Sequence, residues 1–328
     1  MRILVRLPNW LGDFVMSTAF ITALRRHAPD AEIHAIIKRE LSPLAAFVPE
    51  LDRVFPFSKP DAPGLLGLSR YARQLRQDGP YDVAFVLPES FSSALLARQT
   101  GARERIGFAK ELRSFLLTRA VPKPKGRHRV QEYAALLEAF TGDPPGELRV
   151  ALPDSQAASP PDPAPILLNF NSEAQSRRIP VGMARDILSQ VLDRWDRPVQ
   201  LTGSPKETAH SEAIAAGFDP RRVTNLAGKT GLMELVATVR EAALVLSPDS
   251  GVAHVTNAVG TPLVVLCGAS NEHETGPYNP GSHRVLRAPG LECAPCVANT
   301  CRFGTPKCML QLEISRILEA IEDLLPSR

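Results

Sequence analysis

Short aliphatic runs alternate with helical patterns along most of the chain. Between the runs, apolar residues three and four positions apart predict amphipathic helices, as over residues 14–24 and 183–192. Strands that are apolar on both faces and separated by helices are typical of parallel sheets covered on both sides. The pattern therefore predicts the α/β fold class with doubly wound sheets. The predicted strands contain residues 3–5, 33–37, 83–87, 166–168, 199–201, 244–246 and 263–266.

One segment interrupts this alternation. Residues 154–165 are rich in Pro, Ala, Asp and Ser and have no apolar period, which is typical of an interdomain linker. We expect one Rossmann-like domain over residues 1–153 and a second over residues 166–328, facing each other across a cleft. The last apolar pattern, residues 310–325, predicts an amphipathic helix, for which a return to the first domain is one arrangement.

Composition excludes several classes of protein. The chain has 328 residues, 44% hydrophobic and 22% charged, the balance of a globular protein with a substantial core. No apolar stretch approaches the roughly 20 residues that a membrane span needs. The first residues lack the long apolar run and small-residue cleavage site of a signal peptide, so we expect a cytoplasmic protein. The net charge of +3 is too small to indicate nucleic-acid binding by itself.

Basic residues are concentrated in one part of the N-terminal half, with little acid near them in the sequence. Two interpretations stay open. The cluster is either a solvated face or a docking surface for an anionic partner such as phospholipid, a phosphorylated glycolipid or nucleic acid. Its members are Arg98, Arg103, Arg105, Lys110, Arg113, Arg119, Lys123, Lys125, Arg127 and Arg129.

The first predicted strand runs into a polar turn, residues 9–13, and then directly into a helix. Gly12 suits a tight turn, and Asp13 stands where a helix N-cap is expected. A carboxylate at this position can cap the helix or act as general base for a sugar hydroxyl. The turn lacks the G-x-G-x-x-G spacing of dinucleotide-binding oxidoreductases.

Two loops of the second half carry further candidate chemistry. After the strand at residues 244–246, a helix is predicted to start near Gly251, where free backbone N–H groups and the helix dipole can bind a diphosphate. Asp249 and Ser250 can cap that helix or bind ribose and phosphate, and His254 lies one turn further.

The other loop follows the first strand of the second half. There, Ser172 can bind a phosphate oxygen, and Arg177 can neutralise a diphosphate leaving group.

Together these motifs resemble glycosyltransferase family nine, and within it most closely the heptosyltransferase II branch. The resemblance covers essentially the whole chain. It is carried by residues 9–13, by residues 87–90 with 105–108, by residues 247–251 with His254, by Gly268 with residues 275–278, and by residues 293–296.

The resemblance implies a GT-B fold and an inverting transfer of heptose to the inner core of lipopolysaccharide. It implies that the first domain holds the acceptor, with Asp13 as catalytic base, and that the second holds an ADP-heptose donor. Arg177 takes the place of the family's lysine, although Ile179 replaces the tryptophan that usually follows. The implied donor-binding residues are Ser172, Arg177, Glu207, Thr230, Asp249, Ser250, Gly251 and His254, with Thr230 and Glu207 near the adenosine.

The implied partners are an ADP-sugar donor and a lipid-anchored lipopolysaccharide acceptor. The resemblance further implies a cytoplasmic monomer in peripheral contact with the inner face of the inner membrane, without nucleic acid and without a cofactor. Four cysteines, Cys293, Cys296, Cys301 and Cys308, have the spacing C-x2-C-x4-C-x6-C. They can hold a tetrahedral zinc, serve as reduced packing thiols or become oxidised, and we assign no metal to them.

Three alternatives stay open. The chain can be another family-nine glycosyltransferase with a different sugar or acceptor. A nucleotide-dependent epimerase or oxidoreductase on the same scaffold is the second, because fold alone does not determine function. The third is a non-catalytic binder of nucleic acid or acidic lipid, which leaves Asp13 and the loop of Asp249 without a role.

Overall fold

The computed structural model describes residues 1–77, 79–110, 112–154 and 160–325. The chain divides into two compact units, Met1–Leu152 and Pro153–Arg328. The predicted linker, residues 154–165, belongs to the start of the second unit, and its residues 155–159 lie outside the described part. None of the helices in the described ranges is both long and apolar enough to cross a bilayer.

The first unit is a six-stranded parallel sheet with strand order β3-β2-β1-β4-β5-β6. The order reverses direction between β1 and β4, which are neighbours. A 3₁₀ helix, Arg39–Phe47, precedes β3, and a second one, Ser114–Leu116, lies between β5 and β6. The elements are β1 (Arg2–Arg6), α1 (Leu11–His27), β2 (Glu32–Lys38), β3 (Arg53–Phe57), α2 (Gly64–Arg76), β4 (Val83–Val86), α3 (Phe91–Gln99), β5 (Glu104–Phe108), β6 (Arg119–Val121) and α4 (Arg129–Thr141).

The second unit is also a six-stranded parallel sheet, with order β12-β11-β10-β7-β8-β9. Counted within the unit, this is the strand order of the first sheet, and it reverses between β7 and β10. The elements are β7 (Ile166–Asn169), α5 (Val181–Arg194), β8 (Val199–Thr202), α6 (Thr208–Ala215), β9 (Val223–Asn225), α7 (Leu232–Glu241), β10 (Leu244–Pro248), α8 (Gly251–Val259), β11 (Leu263–Leu266), α9 (Glu272–Thr275), β12 (His283–Leu286), α10 (Lys307–Leu310) and α11 (Ile314–Leu324).

The central strands of both sheets are buried on both faces. All residues of β4, β7 and β11 are buried, which is why these segments read as continuous apolar runs rather than alternating ones. The predicted α/β class with two doubly wound parallel sheets is thereby confirmed.

The terminal helix α11 packs on the sheet of its own unit. Its apolar stripe, including Ile317 and Ile321, is fully buried and lies against β10, β11, β12 and α5. An amphipathic helix is stable where its apolar stripe is covered. The apolar face of β10–β12 provides that cover for α11.

Candidate active site

Each sheet offers one position where a ligand is expected to bind. In open parallel sheets, ligands lie outside the carboxyl ends of the strands, at the point where the strand order reverses. In the first unit, the loops that follow β1 and β4 meet at this point. In the second unit, the loops that follow β7 and β10 meet there. The candidate residues of the two units are described separately below.

Asp13 lies in the first turn of α1, directly after β1. The helix begins at Leu11 and Trp10 is its N-cap residue, so the expectation that Asp13 stands at the N-cap position is wrong. Its carboxylate instead faces Arg129, the first residue of α4, with 3.8 Å between Oδ1 and Nε. One quarter of the Asp13 side chain is exposed. The structure therefore presents a carboxylate that is ion-paired on one side and open to solvent on another.

A network of alternating charges extends from this pair. Arg129 also lies 3.2 Å from Glu132 and 3.6 Å from Glu89, and Glu89 accepts hydrogen bonds from Lys110 and Lys123 at 2.6 and 2.7 Å. Burial opposes the ionisation of Glu89. The two lysines outweigh burial and lower the pKa of this carboxyl from its ordinary 4.5 to about 2. Glu89 is not among the site residues predicted from the sequence, although its position after β4, the neighbour of β1, could have indicated it.

Most of the basic cluster is therefore already paired within the protein, contrary to what the sequence suggested. Lys110, Lys123 and Arg129 are paired as described, and Arg119 pairs with Glu104 at 3.2 Å. The expectation of little offsetting acid is wrong, because the cluster pairs with Glu89 in the loop after β4, with Glu104 in β5 and with Glu132 in α4. Arg113 is fully buried among backbone carbonyls. Lys125 and Arg127 are exposed.

We expect the Glu89→Gln variant to lose stability at neutral pH. The lowered pKa means that Glu89 stabilises the fold above the unfolded-state pKa near 4.5, and that this contribution disappears as pH falls through about 2. A shift of this size corresponds to a contribution on the order of 3 kcal/mol. Urea unfolding at pH 7 and pH 3 tests this. The wild-type advantage should be large at pH 7 and smaller at pH 3.

Glu40→Gln is the matched control, because Glu40 forms an exposed ion pair with Lys38 at 3.8 Å. Pairs of this kind contribute about 0–1 kcal/mol. An equal loss of stability in both variants, or a Glu89→Gln loss that does not change with pH, would contradict the assignment.

Asp249 is the centre of the candidate site in the second unit. Only 2% of the residue is exposed, at the end of β10. Its Oδ2 atom lies 3.4 Å from Nη1 of Arg177, and its Oδ1 atom lies 3.6 Å from Nε2 of His254, an ion-pair distance. Burial opposes ionisation of Asp249, but His254 and then Arg177 outweigh it, so the pKa of this carboxyl is lowered. Oδ1 accepts no hydrogen bond from the described residues.

The start of α8 is left open. Gly251 is its first residue and Ser250 its N-cap residue, but the Ser250 side chain does not cap the helix. Its Oγ atom instead lies 3.1 Å from both Asn169 Nδ2 and Ser247 Oγ. Because no side chain of the cap occupies the first-turn N–H groups, this helix end can bind an anion.

Asn169 joins the two loops that meet at this point. Its Nδ2 atom also donates to Ser247 Oγ at 2.9 Å, and its Oδ1 atom accepts from the Asn171 N–H at 3.0 Å. The buried amide therefore ties the loop after β7 to the turn after β10. Asn169 is not among the site residues predicted from the sequence.

The two neighbouring arginines have different contacts. Arg177 ends a 3₁₀ helix, Gln175–Arg177, and reaches Asp249, whereas Arg178 donates from Nη2 to the Ser172 carbonyl at 3.2 Å. Ser172 itself is buried. Of the two arginines, Arg177 is thus the one that lies beside the open end of α8 and its neighbouring carboxylate.

Glu207 and Thr230 lie further along the same edge, after β8 and β9. The Glu207 carboxylate accepts from the Ser204 N–H at 2.7 Å and completes a capping box, which is a structural role. Thr230 is half-buried just before α7. The structure therefore brings Ser172, Arg177, Asp249, Ser250, Gly251 and His254 to adjacent loops, and places Glu207 and Thr230 two and three strands from β10.

The four cysteines near the C-terminus are reduced. Cys296 is exposed, Cys293 and Cys301 are half-buried, and Cys308 is buried. Burial raises the pKa of the Cys308 thiol. In the described part of the chain, no three His, Cys, Asp or Glu side chains are arranged to hold a metal ion.

Two Rossmann-like sheets, each with polar residues at its reversal point, are suited to binding a ligand that contains a nucleotide. Residues 68–306 match the family model described as glycosyltransferase family 9 (heptosyltransferase). The chain belongs to glycosyltransferase family 9. The alternatives of an oxidoreductase, an epimerase and a non-catalytic binder are therefore set aside.

Individual relatives agree with this assignment along nearly the whole chain. Lipopolysaccharide heptosyltransferase 2 of Escherichia coli K12 is 26% identical over 355 residues, covering 99% of both chains. The solved structure of E. coli ADP-heptose lps heptosyltransferase II is similar with a TM-score of 0.82, covering 99% of this chain and 98% of that one, at 26% identity. E. coli heptosyltransferase WaaC, solved with ADP-2-deoxy-2-fluoro heptose, shares the fold at 18% identity, with a TM-score of 0.76 over 98% and 99%. The predicted GT-B fold is confirmed.

Proposed function

We propose that this glycosyltransferase moves heptose from an ADP-heptose donor to the inner core of lipopolysaccharide, with inversion at the anomeric carbon. The observation that carries the proposal is the open start of α8, beside which Arg177 and His254 converge on the buried Asp249. Such an arrangement suits a nucleoside diphosphate. Family membership and the heptosyltransferases among its relatives support heptose as the sugar.

The second unit is proposed to hold the donor. The first-turn amides of α8 and the guanidinium of Arg177 offset the negative charge that grows on the diphosphate as ADP leaves. Asp249 is proposed to keep Arg177 and His254 in place. Ser172, Ser250, Thr230 and Glu207 line the same edge and are proposed to contact the rest of the donor.

The first unit is proposed to hold the acceptor, with Asp13 as general base. An acceptor hydroxyl oxygen attacks the anomeric carbon of the heptose and forms the new glycosidic bond. The bond from that carbon to the ADP oxygen breaks, and ADP leaves with the electron pair. The proton of the hydroxyl passes to the Asp13 carboxylate, whose solvent-open side leaves room for the acceptor.

The acceptor is proposed to be lipid-anchored, and the enzyme is proposed to reach it from the cytoplasm, at the inner face of the inner membrane. We further propose that the enzyme is a monomer. Lys125 and Arg127 are exposed, and each cation near an anionic surface contributes about 1 kcal/mol, screened over a Debye length of about 8 Å.

A substrate panel tests the proposed activity. ADP- and UDP-sugars are combined with defined core acceptors, with and without a first heptose, and the products are weighed by mass spectrometry. We expect one heptose to be added from ADP-heptose alone, because the chain is similar to heptosyltransferase II along nearly its whole length. Transfer of a different sugar, or of heptose from a UDP donor, would refute the proposal. Comparison of the two acceptors distinguishes the first from the second heptose position.

A further inference from the structure

Four large apolar side chains stand exposed along the carboxyl edge of the first sheet. We call them the apolar rim: Trp10, Phe91, Leu112 and Phe115, which are 62%, 41%, 90% and 69% exposed. They follow β1, β4 and β5. Because these strands are neighbours in the sheet, their loops share one edge. The rings of Phe91 and Phe115 lie 6.2 Å apart. Single exposed apolar residues are ordinary, but a group of this size on one edge indicates an interaction surface.

The loop that presents Leu112 and Phe115 is firmly anchored. Arg113, which lies between them, is fully buried, and its guanidinium donates to the carbonyls of Phe108, Pro88 and Ser90 at 2.9, 2.5 and 3.1 Å. These bonds fasten the loop after β5 to the loop after β4. With the polar residue held inside, the two apolar neighbours are held outside.

Local backbone features agree with this arrangement. Leu112 has a φ of +53°, a left-handed backbone conformation that residues other than glycine rarely adopt. A Cβ atom on Gly107 would lie 3.1 Å from both Arg113 Nη2 and the Val86 carbonyl oxygen, so glycine leaves the space that the guanidinium occupies. The exposure of Leu112 is therefore built into the fold rather than a product of a loose loop.

Cations flank the rim. Lys125 and Arg127 follow β6, the strand beside β5, and both are exposed. The Lys110 side chain, 53% exposed, lies at the start of the Leu112 loop. Leucine and aromatic side chains beside lysine and arginine are the combination found where proteins rest on anionic membranes. A protein partner would need a shape that fits three separate loops and charges that fit the cations beside them. An anionic bilayer offers apolar chains and negative headgroups everywhere, so it suits the whole surface without a specific shape.

We propose that the apolar rim inserts into the headgroup region of an anionic lipid bilayer while Lys125 and Arg127 contact lipid phosphates. This rests on the proposed function in that the acceptor is taken to be lipid-anchored. Trp10 and Asp13 are three residues apart at the same edge, so insertion brings the general base to the membrane surface where that acceptor lies. Lys125 and Arg127 alone would attract the protein to the membrane surface. Insertion of the apolar rim adds a defined depth in the bilayer and a defined orientation of the protein.

Co-sedimentation with vesicles tests the proposal. The vesicles contain phosphatidylcholine alone or phosphatidylcholine with phosphatidylglycerol at about 3:1, a composition chosen to supply anionic headgroups. The double variant Leu112→Ser/Phe115→Ser is expected to bind anionic vesicles about tenfold more weakly or worse, since burying one such side chain is worth at least that factor. Lys125→Gln/Arg127→Gln is expected to lose the preference for anionic over neutral vesicles.

The matched control is Val297→Ser/Phe303→Ser in the second unit. Val297 also has a φ of +53°, and the two residues are 58% and 61% exposed, so a comparable apolar area is removed. This control is expected to bind vesicles like the wild type. Equal binding by the wild type and the Leu112/Phe115 variant overturns the proposal. So does a wild-type dimer that this variant abolishes, because the rim is then a contact between copies of the chain.

Kinetics separate this proposal from the proposed function. The Leu112/Phe115 variant is expected to raise the apparent KM for a lipid acceptor in vesicles and to leave kcat/KM for a deacylated core acceptor unchanged. A loss on both acceptors would mean damage to the fold and would count against the rim. If the wild type transfers to neither acceptor, the proposed function fails, while vesicle binding still decides the membrane proposal.

Discussion

Turnover of the Asp13→Asn variant is expected to fall by about 10²–10⁴-fold, the usual cost of removing a general base. The amide keeps the size of the side chain but cannot take the proton of the acceptor hydroxyl. The proposed donor site lies in the other unit, so affinity for ADP is expected to stay near the wild-type value. Initial rates with saturating ADP-heptose measure the first quantity, and titration calorimetry with ADP measures the second.

The control for this experiment is Asp30→Asn, which removes an exposed carboxylate from the same unit. It is expected to retain full turnover. If Asp13→Asn also retained it, Asp13 would be only the ion-pair partner of Arg129, and the base would have to be sought elsewhere at the edge of the first sheet.

The second large effect concerns the donor. The Asp249→Asn variant is expected to raise the dissociation constant of ADP by roughly 10- to 150-fold. Hydrogen bonds that involve a charged group contribute about 1.5–3 kcal/mol, and the change removes the charge that holds Arg177 and His254. Asn is preferred to Ala, because it keeps the size of the side chain and leaves no cavity in this buried position. Calorimetry with ADP provides the measurement.

Asp219→Asn serves as the control, since Asp219 pairs with Arg221 on the exposed surface of the same unit. Its affinity for ADP is expected to be unchanged. A folded Asp249→Asn protein with wild-type affinity would place the nucleotide away from the start of α8.

The strands that the sequence predicted are the central ones. The seven predicted runs correspond to β1, β2, β4, β7, β8, β10 and β11, whereas β3, β5, β6, β9 and β12 were missed. Four of the missed strands lie at the edges of the sheets, and their residues are largely half-buried or exposed. A strand covered on one face only does not form a continuous apolar run, and at three to five residues it is too short to show alternation.

The candidate site was partly predictable for a similar reason. Asp13, Arg177 and Asp249 could be proposed from the sequence because each lies in a segment between a predicted strand and a predicted helix. Glu89 and Asn169 were not given roles, because their partners lie far along the chain: Lys123 is 34 residues from Glu89, and Ser247 is 78 residues from Asn169. Contacts of this kind arise from the order of strands, which local pattern does not contain.

The position of α11 has a consequence for biosynthesis. The strands of the first sheet all come from the first 121 residues, so that sheet can form while the rest of the chain is still being made. At about 5–20 residues per second, the second unit needs roughly 10–35 s more. Its sheet can assemble only late in that interval, and the apolar face of β10–β12 stays uncovered until Ile314–Leu324 has emerged. Until that helix has emerged, the nascent chain exposes this apolar face, and a chaperone that covers it would protect the chain from aggregation.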